Sequence, residues 1–218
     1  MVAVSSLRLR DQQGTLLPFD PSRWHASPSP AEEHLLRGLA GPVLDVGCGP
    51  GRAVDRLARH GIVALGVDPA PGAVAMARRR GCAVLQRSVF DPLPGEGRWG
   101  TVLLLDGNVG IGGDPVRLLS RCASLVRRDG SVVAEVEMPG TAWRNCRARL
   151  ERVSSDSSAG EDGPEVSDWF GWSIVGADAV ADLADAAGLA VRRVGTIDDG
   201  RWFAWLTAVG AAHGSATG

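Results

Sequence analysis

The chain has 218 residues, 44% hydrophobic and 22% charged, with a formal net charge of −2. Such a composition excludes a disordered or fibrous chain, gives one substantial core, and offers no broad basic footprint for nucleic acid or an acidic membrane surface. All 23 basic residues are Arg and Tyr is missing, which excludes Schiff-base lysine and phenolic acid–base chemistry.

Along the chain, the first predicted helix spans 30–39, with Ser29 as N-cap, Pro30 in the first turn and Glu32 completing an S-x-x-E capping box. Gly41-Pro42 stops it. Val43-Leu44-Asp45-Val46 reads as a short buried strand, followed by the turn Gly47-Cys48-Gly49-Pro50-Gly51 and a helix with Val54, Leu57 and Ala58 on one face. The pattern repeats with a strand over 62–67, a helix over 71–80 and strands over 83–86 and 101–105. A helix then starts at Asp114-Pro115, and a strand covers 131–136. Alternating strands and helices with nearly continuous apolar strands predict a parallel sheet covered on both faces.

Residues 138–172 break that rhythm. They hold Arg144, Arg147, Arg149 and Arg152, then the polar run 154–163, then Asp168-Trp169-Phe170-Gly171-Trp172. This predicts an insertion (138–175) in a main domain spanning 41–209, preceded by a cap segment with its helix (1–40) and followed by a frayed tail (210–218). The four arginines read as a solvated helix face or as a site for an anionic substrate. A helix over 177–187 and strands over 190–197 and 202–209, the strands forming an antiparallel hairpin about Asp198-Asp199-Gly200, complete the chain.

Three glycines at alternate positions after the first strand let a ligand approach backbone and helix N-terminus closely. A dinucleotide site wants G-x-G-x-x-G, yet here the third glycine comes one residue early and Arg52 stands in its place. Asp45, just before the turn, would repel a pyrophosphate but suits a ligand bearing an ammonium and a sulfonium. Asp68 ends the second strand, where a carboxylate accepts ribose hydroxyls.

The run Val43-Leu44-Asp45-Val46-Gly47-Cys48-Gly49-Pro50-Gly51, with Asp68, resembles the first motif and second acidic position of the class I S-adenosylmethionine-dependent methyltransferases. The resemblance covers the element order over about 41–209 and implies an α/β, Rossmann-like, seven-stranded, mostly parallel sheet of order 3-2-1-4-5-7-6, last strand antiparallel, with helices on both faces. It implies S-adenosyl-L-methionine as cofactor, its methionine end against Asp45, Gly47, Cys48, Gly49 and Gly51, its ribose on Asp68 and its adenine beside Pro69. Ser88, followed by Val89, holds the place where many relatives have an adenine-contacting Asp. Trp99-Gly100 stands where relatives often begin the fourth strand with Phe-Asp.

Asp106 and Asn108 end the fourth strand, beside the expected methyl group. His25 and Asp106 are candidate bases for an acceptor hydroxyl or amine. Trp24, Asn108, Trp143, Arg144, Trp169 and Trp172 are candidates for the acceptor pocket; packing of the insertion is the competing role for the tryptophans. In-line methyl transfer needs chiefly collinear positioning and exclusion of water, and the sequence shows no triad and no metal-ligand constellation. Cys48, Cys82, Cys122 and Cys146 are spaced as reduced thiols rather than a zinc site. A small-molecule acceptor with no nucleic-acid or membrane partner is expected, in the cytoplasm, because Met1 to Arg10 lacks an apolar leader and no stretch approaches ~18 apolar residues. A nicotinamide-dependent oxidoreductase on a related fold and a non-catalytic cofactor-binding regulator are the rival readings.

Overall fold

The computed structural model describes residues 6–24, 26–153 and 165–209. Two sheets organise it. The larger is built from β2 (Val43–Val46), β3 (Ala64–Asp68), β4 (Val84–Gln86), β5 (Trp99–Leu104), β6 (Val126–Val136), β10 (Leu189–Thr196) and β11 (Trp202–Ala208), in the order β10-β11-β6-β5-β2-β3-β4. Renumbered within this sheet alone, the order is the expected 3-2-1-4-5-7-6. Neighbours from β4 through β6 pair in parallel, and β11 runs antiparallel to both β6 and β10.

Because both faces are covered, the central strands β2 and β5 are buried along their whole length. On one face α1 (Pro30–Arg37) and α2 (Arg52–Arg59) pack Leu36 and Leu57 against Val43, Leu103 and Phe203. On the other, α4 (Pro115–Leu125) and α5 (Val180–Ala186) pack Leu118, Cys122 and Leu183 against Leu44, Val102 and Val132. Fully burying each such leucine stabilises by about 1.5–3 kcal/mol. α3 (Pro71–Arg79) covers the β3–β4 edge through Val74 and Ala77.

Ser29 does cap α1, accepting a hydrogen bond from the Glu32 N–H at 3.1 Å. The other half of the expected capping box is absent. The Glu32 carboxylate turns inward, 2% exposed, to meet arginines.

Gly100 explains the departure at the start of β5. A Cβ there would lie 2.5 Å from the Gly41 carbonyl oxygen and 2.6 Å from that of Ala40. Close passage of the chain after α1 leaves no room for an aspartate at that place.

The smaller sheet corrects the expectation for the insertion. Arg144–Val153 is strand β7, not a helix face, and it pairs antiparallel with β1 (Ser6–Asp11), β8 (Glu165–Val166) and β9 (Phe170–Ile174). The start of the chain and the insertion thus form one structure. Alternation along β7 turns Ala148 and Leu150 toward Leu9, Phe170 and Trp172 and leaves Arg147 and Arg149 on the other face, since successive strand residues point opposite ways. Arg149 lies 4.8 Å from the Trp169 ring centre. The polar run 154–163 and the tail lie outside the described residues.

Candidate active site

The strand tips of the large sheet and the apolar face of the small one enclose a cavity of about 500 Å³. Asp45, Gly47, Cys48, Gly49, Asp68, Pro69, Asp106 and Asn108 line its floor, while Trp24 and Trp172 line it from the N-terminal segment and β9. Asp45 ends the central part of β2 and is 2% exposed. Burial pushes its carboxyl up to about 7, with Arg52 opposing and Asp106, Asp68 and Glu32 adding to the rise. Among the described residues no hydrogen bond or ion pair engages that carboxylate; lining the cavity, it is in its ionised form the electrostatic counterpart of a cationic ligand.

Asp68 is held differently. The Gly49 N–H donates to its Oδ2 at 2.9 Å and the Ala70 N–H to its Oδ1 at 2.8 Å. Burial raises its pKa and those two bonds oppose the rise. The carboxylate is thereby fixed across the glycine turn, with lone pairs left for hydroxyl donors.

The turn itself is pinned from below. The Asn108 side-chain amide donates to the carbonyls of Val46 (2.8 Å) and Gly47 (2.9 Å). Gly47 has φ +69, and a Cβ there would lie 2.6 Å from that amide nitrogen, so no larger residue fits. Asn108 lines the cavity, but its amide serves the turn.

Arg52, in the place of the dinucleotide motif's third glycine, reaches back beneath the turn. It pairs with Glu32 and, at 2.9 Å, with Asp106 Oδ2. Arg201 donates to Glu135 at 2.7 and 2.8 Å and lies 2.7 Å from Glu32. Arg23 lies 3.5 Å from Asp106 Oδ1 and 3.4 Å from Glu135. Three arginines and three carboxylates, Glu32, Asp106 and Glu135, form one cluster, to which Asp199 adds a fourth carboxylate 3.8 Å from Arg201. Within it burial works against ionisation of Glu135, but Arg201 outweighs burial and its pKa falls below the usual range. Asp106 moves the other way, burial prevailing over Arg52. Asp106 also has φ 53 and gives its N–H to Glu135 at 2.6 Å, while among the described residues its buried Oδ1 accepts no hydrogen bond.

Other predicted positions fall elsewhere. Gly51 caps α2 behind the cavity wall, against Cys82 and Ala77. Ser88 and Val89 do not line the cavity: the Ser88 N–H is taken by Asp91 at 3.0 Å, and the Val89 side chain is core. Trp143 and Trp169 are 46% and 38% exposed on the small sheet. Arg144 is tied to Asp11 at 3.0 Å. Trp143 and Trp169 immediately precede β7 and β9, and neither they nor Arg144 line the cavity. His25 lies outside the described residues. Sequence reasoning did not single out Leu9, Leu150 and Phe170, which line the roof, or Glu135; a carboxylate inside the apolar run Val132–Val136 was the available signal.

Residues 43–130 match the model of a family described as a methyltransferase domain. The protein carries this domain match over less than half of its length. Its fold is that of S-adenosylmethionine-dependent methyltransferases. A methyltransferase of this kind from Bacteroides fragilis, in complex with S-adenosyl-L-homocysteine, superposes with a TM-score of 0.71 at 20% identity, covering 94% of this chain and 88% of that one. The CcbJ methyltransferase of Streptomyces caelestis gives 0.64 at 14% identity, with 85% and 92% covered. A sugar N-methyltransferase from a Streptoalloteichus species gives 0.62 at 20% identity, with 86% and 91% covered. No curated protein sequence matches the chain. None of the described helices is long and apolar enough to cross a membrane.

Proposed function

We propose that this protein is a methyltransferase that binds S-adenosylmethionine between Asp45 and Asp68 and methylates a small molecule that enters from the Asp106 side. One observation carries the reading: two carboxylates on the neighbouring strands β2 and β3 line a single cavity of about 500 Å³, a size within the range of small-molecule sites. Bound there, the cofactor supplies an electrophilic methyl group. Asp45 suits its ammonium, the backbone at Gly47 and Gly49 its methionine chain, Asp68 its ribose hydroxyls, and Pro69 and Ala70 flank its base.

The chain's own contribution is positioning and exclusion of water. Leu9, Leu150, Phe170 and Trp172 roof the cavity with apolar surface, which favours a small acceptor over an extended polymer. The S-adenosyl-L-homocysteine bound to the Bacteroides protein and the description of the Streptoalloteichus one as a sugar N-methyltransferase accord with this reading. Calorimetric titration with S-adenosylhomocysteine and with NAD⁺ tests it. Saturable binding of the former alone is expected; binding of NAD⁺ alone would overturn the assignment.

A further inference from the structure

Beyond Asp106 lies a second cavity of about 350 Å³, walled by Phe19, Trp24, Val136 and Trp202 and bearing Asp20, Arg23, Asp106, Glu135, Glu137 and Arg201. It shares Phe19, Trp24 and Asp106 with the larger cavity, so the two chambers adjoin at that carboxylate. We propose that this chamber holds the methyl acceptor and selects one bearing an ammonium group, with Glu137 as the residue that binds the ammonium. The inference deepens the cofactor reading and rests on it.

The charges decide the class of acceptor. Arg23 and Arg201 are both committed to that cluster, where with Arg52 they face Glu32, Asp106, Glu135 and Asp199. What remains in the chamber is Asp20 and Glu137. Asp20 accepts hydrogen bonds from Ser22 and is spent locally on that turn. Glu137 is half-buried, and among the described residues its carboxylate meets no cation and no hydrogen-bond donor.

Its backbone, by contrast, is fixed, donating to the Val175 carbonyl and accepting from the Ala177 N–H, each at 2.9 Å. Burial raises the Glu137 pKa, and the nearby Glu135 adds to the rise, as expected of a carboxylate lacking its counterion. An ammonium supplies that counterion. The proton it must lose before its nitrogen lone pair is free passes to the carboxylate oxygen, leaving a neutral amine. The aromatic walls accommodate the apolar body of such a molecule.

The test uses three probes of one shape, benzylamine, benzyl alcohol and benzoate, titrated into the protein with and without saturating S-adenosylhomocysteine and followed by protein NMR. Benzylamine is expected to bind at least about tenfold more tightly than the other two, shifting signals of Glu137 and Trp202. In Glu137→Gln this preference is expected to vanish, and in Glu137→Asp to persist in part. Equal binding of benzylamine to wild type and Glu137→Gln, tighter binding of benzoate, or no binding of any probe at 10 mM, a concentration of the order at which weak ion pairs register, each overturns the proposal. Ammonium preference without any S-adenosylhomocysteine binding would overturn the cofactor reading instead.

Discussion

The central strands of the large sheet, β2 and β5, are buried at every position, whereas β7 of the small sheet alternates, and the two patterns build opposite sides of one site. β5 is buried at every position; β7 buries Ala148 and keeps Arg147 and Arg149 on its other face. The large sheet fixes charged groups at rigid strand tips. The small sheet supplies an apolar roof held by one face only. Cofactor affinity should therefore follow the first region and closure over the acceptor the second.

The largest effect is expected at the cluster beneath the tips. Arg52→Ala removes a 7%-exposed cation from between Glu32 and Asp106, leaving negative charge buried with fewer partners. We expect a loss of about 3 kcal/mol in urea unfolding; a loss below about 1 kcal/mol would show that Arg23 and Arg201 alone hold these carboxylates.

Leu9→Ala probes the roof. Leu9 is 3% exposed against Ala148 and Ile174, so about 2–3 kcal/mol is expected to be lost, the usual range for a buried leucine. Hydrogen exchange should rise in β1, β7 and β9 while β2 and β5 stay protected. Uniform loosening of both sheets would show that they unfold as one unit.

Trp143→Ala should do least. That side chain is 46% exposed and, among the described residues, hydrogen-bonds only Asn145, at 3.0 Å, so stability should move by less than about 0.5 kcal/mol. Methyl transfer should be unchanged, and a large drop in acceptor turnover would return Trp143 to the acceptor pocket.

The same contrast explains what the sequence made legible. Parallel strands buried on both faces read as continuous apolar runs, so Val43–Val46 could be anticipated, as could Asp45 and Asp68 beside the glycine turn, while the order of the large sheet followed from the family resemblance alone. The small sheet could not. Its pairing joins Leu9 to Leu150, too distant in sequence for local periodicity to report, and the arginines of β7 sit at spacings that mimic a helix face. Arg52 was noticed only as a misplaced glycine. Its partners Glu32 and Asp106 become visible once the fold brings three separate segments together.

The central claim is that Asp45 offers an uncompensated negative charge to a cationic ligand. Calorimetric titration of wild type and Asp45→Asn with S-adenosylhomocysteine between pH 6 and pH 8 tests it most directly. With the unliganded carboxyl near 7, wild-type affinity should weaken as pH falls through that value, because the group must shed its proton before it can hold an ammonium. At pH 8 the variant should bind about a hundredfold more weakly, near 3 kcal/mol, and show no such pH dependence. Equal affinity of the two proteins at pH 8 would contradict the account.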